Sequence, residues 1–153
     1  MKRLAAFLII FLSITICSAQ ELNLNSIKAK SAPRAAKIYL KAIGVKVRKA
    51  KWFYSQSEIY VADLKKRKKQ NKVSYYFKSN GEFILARREI IPDELSKEVK
   101  ELIGDRAMSN SGVKLFSYQS TEFRFFGIQL PPESGKPTLY YTEGGEPYLF
   151  KLK

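Results

Sequence analysis

Residues Tyr54-Ser55-Gln56-Ser57-Glu58-Ile59-Tyr60-Val61 recur as Tyr118-Gln119-Ser120-Thr121-Glu122-Phe123-Arg124-Phe125. The same offset, without a gap, pairs Lys72 with Lys136, Tyr76 with Tyr140, Gly81-Glu82 with Gly145-Glu146, and Leu85 with Leu149. A recurrence of this kind constrains the fold more than composition does, because it calls for one small unit built twice. Upstream the offset slips, but the order of signals holds: the Pro-led, Gly-ended stretch from Pro33 to Gly44 corresponds to Pro92 to Gly104.

Each of these stretches reads as a helix. In the second, Leu95, Val99, Leu102 and Ile103 form one apolar stripe. Pro92 suits the first turn, Asp93 and Glu94 suit the positive end of the helix dipole, and Gly104 suits the C-terminal cap. In the first, Ser31 is the candidate N-cap, Ile38, Ala42 and Ile43 form the apolar side, and Gly44 ends the helix.

After each helix the pattern changes to that of strands. Val73, Tyr75 and Phe77 alternate with Ser74, Tyr76 and Lys78; Asn80-Gly81 then predicts a type I′ hairpin, and Phe83 to Arg87 returns. Gly144-Gly145 does the same between Thr138–Thr142 and Pro147–Leu152. Earlier strands are expected at Glu58–Leu64 and Glu122–Leu130, with edge candidates at Trp52-Phe53 and Val113–Phe116. The expected fold class is therefore α+β. It comprises two tandem helix-plus-antiparallel-strand units, residues 20–91 and 92–153, with the helices packed on one face of the sheet or sheets.

The first 19 residues carry an address. Lys2 and Arg3 precede an apolar run from Leu4 to Ile16, and Cys17-Ser18-Ala19 offers small residues where a signal peptidase cuts. Cleavage is expected after Ala19. The run is shorter than the roughly 20 apolar residues of a membrane-spanning helix, and no later segment approaches that length, so the mature chain is expected to be soluble and periplasmic or secreted. Lipidation at Cys17 is the competing reading, and Ile16 stands where that signal wants Gly or Ala. Cleavage also removes the chain's one cysteine, so stability has to come from an apolar core rich in aromatics, of which the full chain has nine tyrosines and ten phenylalanines.

The tandem units, the Trp that opens the strand region, and the hairpin Tyr75-Tyr76-Phe77-Lys78-Ser79-Asn80-Gly81-Glu82-Phe83 together resemble the exported PepSY-like, or beta-lactamase-inhibitor-like, proteins. The resemblance implies a non-enzymatic envelope protein that binds other proteins or small ligands, with protease inhibition among the proposed roles. It brings no catalytic residue. The strongly basic charge departs from the usual look of that family.

The residues themselves argue against catalysis. A chain with no histidine, and no cysteine once the leader is gone, lacks the Ser-His-Asp and Cys-His systems and the common nitrogen and sulfur ligands of zinc, copper or iron. No cofactor, metal site or enzymatic activity is expected. Glu58 and Glu122 could form a glycosidase-like acid pair; duplicated surface glutamates explain them more simply.

The formal charge of +14 falls to +12 once Lys2 and Arg3 leave. Such a surplus favours anionic partners. It concentrates in Lys65, Lys66, Arg67, Lys68, Lys69 and Lys72, and in Lys46, Arg48, Lys49 and Lys51 just before Trp52-Phe53-Tyr54. Where the first unit has this cationic loop, the second has Ile128 to Lys136 with two prolines and one terminal lysine, so the connection does not require the cations. Cations beside aromatics could hold lipopolysaccharide, an acidic glycan or an anionic lipid; the alternative is a merely solvated hairpin tip. Nucleic acid is not an expected partner in vivo, because export separates the chain from it.

Phe125-Phe126 puts one ring on each face of its strand. If Phe126, Tyr76 and Tyr140 share the solvated sheet face, they form a surface for a protein partner. The favoured reading is a non-catalytic exported protein that binds an envelope or extracellular protein, as inhibitor or accessory factor. The alternative is a polyanion-binding protein acting through the 65–72 loop.

Overall fold

The computed structural model describes residues 26–29, 31–55, 57–64, 72–108, 112–131 and 138–150. Eight strands, β1 (Ser26–Lys28), β2 (Ala50–Ser55), β3 (Ile59–Leu64), β4 (Val73–Lys78), β5 (Phe83–Ile90), β6 (Lys114–Gln119), β7 (Arg124–Gln129) and β8 (Leu139–Thr142), lie in one sheet in chain order, every neighbour antiparallel. Two short helices, α1 (Arg34–Ala42) and α2 (Lys97–Met108), are added to it.

The α+β expectation is therefore corrected: the protein is mainly β, one meander with two short helices. The decisive contact is β5 with β6. These strands pair from Ala86↔Gln119 to Ile90↔Leu115, so the ladder runs unbroken across the point where the sequence suggested two units. A strand at the end of a small sheet exposes a row of unpaired backbone groups, and joining two such edges satisfies both.

Both helices lie on the same face. Under α1, Ala36 and Leu40 pack with Ala62 and Phe77, and under α2, Leu95 and Val99 pack with Ile90, Leu115, Phe126 and Ile128. The buried side of α1 differs from the one expected: Ile38 and Ile43 face solvent, and Pro33 caps the helix with no side-chain bond. In the second region Pro92–Glu94 forms a separate 3-10 turn; Ser96 Oγ accepts from Val99 N–H at 3.4 Å, and Gly104, at φ +68°, breaks α2.

Turn chemistry explains why small residues are needed where helix meets sheet. In the β4–β5 turn Gly81 N–H donates to Lys78 O at 2.9 Å and Lys78 N–H to Glu82 O at 2.9 Å, with Gly81 alone at positive φ, +89°. This is a type I turn closed by a glycine bulge, in place of the expected type I′ turn, since Asn80 does not enter the left-handed region. The turn after β8 repeats it: Gly145 N–H donates to Thr142 O, Thr142 N–H donates to Glu146 O, and Gly145 has φ +81°. A Cβ on Gly81 would lie 2.9 Å from Ala35 Cβ, and one on Gly145 2.9 Å from Leu102 Cδ1. Each helix thus rests on the turn glycine of its own half.

The other face carries no helix but is not bare. Ile59, Val61, Tyr76, Leu85, Phe116, Tyr118, Phe125 and Tyr140 form its core. The C-terminal segment turns back along β8 through Tyr148 N–H to Tyr140 O, 2.9 Å, and lays Phe150 against Phe125 at 5.0 Å and Tyr140 at 5.4 Å. The strand expected at Pro147–Leu152 amounts to this backbone bond and a single Tyr141↔Pro147 bridge among the described residues.

Candidate functional site

A meander sends alternate connections to opposite ends of its strands, and here that separates the charges. At one end the register sets Ala50 beside Leu64 and Leu64 beside Val73, so the start of β2, the exit of β3 and the entry to β4 are neighbours. Lys46, Arg48, Lys49, Lys51 and Lys72 are all exposed there. Lys72 Nζ lies 2.7 Å from Asp63 Oδ2, while Lys51 stands opposite Asp63 across β2 and β3. Lys65, Lys66, Arg67, Lys68 and Lys69 lie outside the described residues.

The opposite end is acidic. Its turns carry Glu58, Glu82, Glu122, Glu143 and Glu146, every one exposed. Only part of that charge is matched locally, by Lys78 to Glu82 at 2.9 Å and by Arg124 to Glu143 at 3.7 Å. Lys78 holds the Glu82 carboxyl below its ordinary range, chiefly by donating a hydrogen bond.

The aromatic neighbours of the basic end do not form the expected stacking platform. Trp52 turns to the helix side, its ring centroid 5.9 Å from Phe77, while Phe53 faces the other way and Tyr54 packs on Tyr60 at 4.6 Å. The cations are brought together; the rings are not brought to them.

Nor do Tyr76, Phe126 and Tyr140 share an open surface. Phe126, 1 % exposed, belongs to the core beneath α2, and Tyr76 and Tyr140, 4 % and 5 % exposed, belong to the core of the opposite face. The reason is the strand period: Phe126 stands opposite Tyr141 while Tyr140 stands opposite Gly127, one step out of phase.

The helix-free face instead holds a feature that sequence reading missed. Register places Lys51, Asp63, Ser74, Arg87 and Tyr118 in one row across β2 to β6. Ser74 Oγ donates to Asp63 Oδ1 at 2.6 Å, which with Lys72 satisfies that carboxylate. Arg87 lies over the Phe116 ring, its guanidinium carbon 3.7 Å from the centroid, and donates to the Tyr76 hydroxyl. It forms no ion pair with a described residue, and its buried Nε–H finds no acceptor among them.

Tyr118 and Tyr140 hydrogen-bond each other beside it, and their rings cross β7 where Gly127 has no side chain. A Cβ at Gly127 would stand 2.7 Å from Tyr118 Cε2 and 3.1 Å from Tyr140 Cε1. Burial pushes the Tyr76 and Tyr118 hydroxyls well above the ordinary tyrosine value, and the Arg87 charge offsets only part of that rise. The one available signal was an arginine in phase with Leu85, and two-fold alternation alone could not say that this face was covered.

The fold and its sites together define a mainly-β, single-sheet protein with a polarised charge distribution. No family model matches the chain, and no curated protein does. Solved structures do share the fold. A protein from Bacteroides eggerthii DSM 20697 assigned to the periplasm is similar over 76 % of this chain and 86 % of its own, at TM-score 0.61 and 21 % identity. DUF2874 family proteins from Bacteroides ovatus ATCC 8483 (80 % of this chain, 87 % of its own, TM-score 0.59, 16 % identity) and Bacteroides uniformis ATCC 8492 (76 %, 86 %, 0.57, 16 %) are similar as well. At these identities the likeness is one of fold. No helix among the described residues is long and apolar enough to cross a membrane.

Proposed function

We propose that this chain is an exported, non-catalytic binding protein of PepSY-like kind that engages an acidic surface on an envelope protein through the basic end of its sheet. The observation that carries the reading is the distribution of charge: Lys46, Arg48, Lys49, Lys51 and Lys72 gather at one end, with exposed Glu89 beside Lys72, and five exposed glutamates line the turns at the other. Such a dipole orients an approaching partner and raises the encounter rate over that of the same charges scattered. The leader-like first 19 residues and the fold shared with a protein assigned to the periplasm support an envelope location. The lack of histidine supports a non-catalytic role.

Affinity capture from envelope extract tests this, using the chain from Gln20 beside a variant in which Lys46, Arg48, Lys49 and Lys51 are changed to Glu. Washes at 0.15 M and 0.5 M salt shorten the screening length from about 8 Å to roughly 4 Å. The expected result is one stoichiometric protein, retained by the native chain and lost by the variant. Equal retention by both would sink the proposal. Recovery of salt-labile glycolipid alone would transfer the basic end to polyanion binding.

A further inference from the structure

The Arg87 cluster borders the basic end of the sheet but points to different chemistry. A guanidinium presents five donors and a charge it cannot lose, so placing it half inside a sheet face is costly unless an anion meets it. Arg87 receives one phenol hydroxyl and one aromatic face, and no carboxylate among the described residues. The nearby acid in its row, Asp63, is already held by Lys72 and Ser74. Glu89 lies two residues along the same strand face but is exposed.

The surroundings are built around this charge. Gly127 makes room for the Tyr118 and Tyr140 rings, Phe116 supports the guanidinium plane, and Tyr76 fixes one of its donors. Phenol hydroxyls beside a planar cation suit a planar oxyanion, which the guanidinium fork can grip through two parallel bonds. The planar fork matches a carboxylate better than a tetrahedral sulfate, and exposed Glu89 beside the site disfavours a second negative charge. We propose that Arg87, flanked by Tyr76, Tyr118 and Tyr140, is a receptor for one carboxylate, taken from a small organic acid or from an acidic side chain of a bound peptide.

The Arg87 Nε–H is shielded from solvent and therefore serves as the reporter in a nitrogen-15 correlation spectrum, identified by its loss in Arg87→Lys. Sodium acetate, sodium sulfate and the blocked peptide Gly-Glu-Gly are titrated at constant ionic strength maintained with sodium chloride. The expected result is a saturable shift with acetate or peptide and a weaker response to sulfate, while the Trp52 indole on the other face stays still. Tighter binding of the peptide assigns the source to a protein side chain; equal binding assigns it to a free acid. Arg87→Lys keeps the charge without the fork and should weaken acetate binding about tenfold, reported by the neighbouring tyrosine resonances. Arg87→Met should abolish it without lowering Tm. No saturable response to any anion, a stronger response to sulfate, or an unchanged acetate curve in Arg87→Lys would each overturn the proposal.

Discussion

Each face of the sheet carries a buried core, and the two cores differ in material. Beneath the helices, Ala36, Leu40, Ala62, Phe77, Val99, Phe126 and Ile128 form an apolar centre, and the polar groups on that side, Tyr39, Tyr75 and Arg124 over the Phe126 ring, stand half-buried at its margin. On the helix-free face, Tyr76, Tyr118 and Tyr140 surround Arg87, with Ser74 and Asp63 in the same row. Apolar contacts need only volume and shape, whereas each buried hydroxyl or guanidinium also needs a partner in the right direction. The helix face is therefore where stability is concentrated. The other face holds polar groups at a cost, as expected of a surface kept for recognition.

This contrast can be broken most forcefully at Phe77, which is fully buried and touches Tyr39, Trp52 and Phe83. Phe77→Ala should destabilise the protein by about 3–5 kcal/mol in denaturant unfolding. A loss under ~1 kcal/mol would show that the helix face is not the dominant core.

Gly127→Ala probes the other side. Its Cβ would stand 2.7 Å from the Tyr118 ring, and the ring has little freedom to move. A loss of about 1–3 kcal/mol is expected, with altered tyrosine near-ultraviolet circular dichroism and an unchanged Trp52 signal. A change confined to Trp52 would contradict the separation of the two faces.

Alkaline titration sharpens the same point without mutation. Burial raises the Tyr76 and Tyr118 values above the ordinary 10.0, so these groups favour the folded state below that pH, and their contribution is lost as pH rises through the folded values. Tyrosinate absorbance should show a set of tyrosines that ionises only with unfolding. A single smooth titration complete before unfolding would refute the burial of these hydroxyls.

The smallest effect belongs to the acidic end. Hydrogen bonding from Lys78 lowers the Glu82 value from 4.5, so this pair adds stability above pH 4.5 that fades as pH falls through the lower folded value. Lys78→Ala should slightly flatten the acid limb of the stability curve. An unchanged limb would mean that the exposed pair contributes nothing measurable, as many do.

Much of the fold was legible where local rules act alone. The hairpin around Gly81 and its counterpart at Gly145 follow from turn glycines, and Gly104, expected to end its helix, instead marks a kink inside α2. The turn type was misread because one residue at positive φ suffices when a bulge closes the turn. Hydropathy points to the wrong side of α1 because Ile38 and Ile43 outrank Ala36, whereas the helix approaches the sheet so closely that Ala35 Cβ and the Ala36 backbone nitrogen would meet any Cβ at Gly81. The cationic residues 46–51 were visible as a run; the orphaned charge of Arg87 was not, because nothing adjacent in sequence distinguishes it.

The sequence by itself determined where strands alternate, where the chain turns, that no histidine chemistry is available and that the surface is strongly cationic. Those properties depend on composition and on neighbours a few residues apart. Only the tertiary structure decided that β5 joins β6 into one sheet, that the cations of residues 46–51 meet Lys72 at one end while five turn glutamates gather at the other, and that Arg87 sits among three tyrosines. Each of these rests on register between strands separated in the chain, and a shift of one residue in that register would turn every side chain to the opposite face.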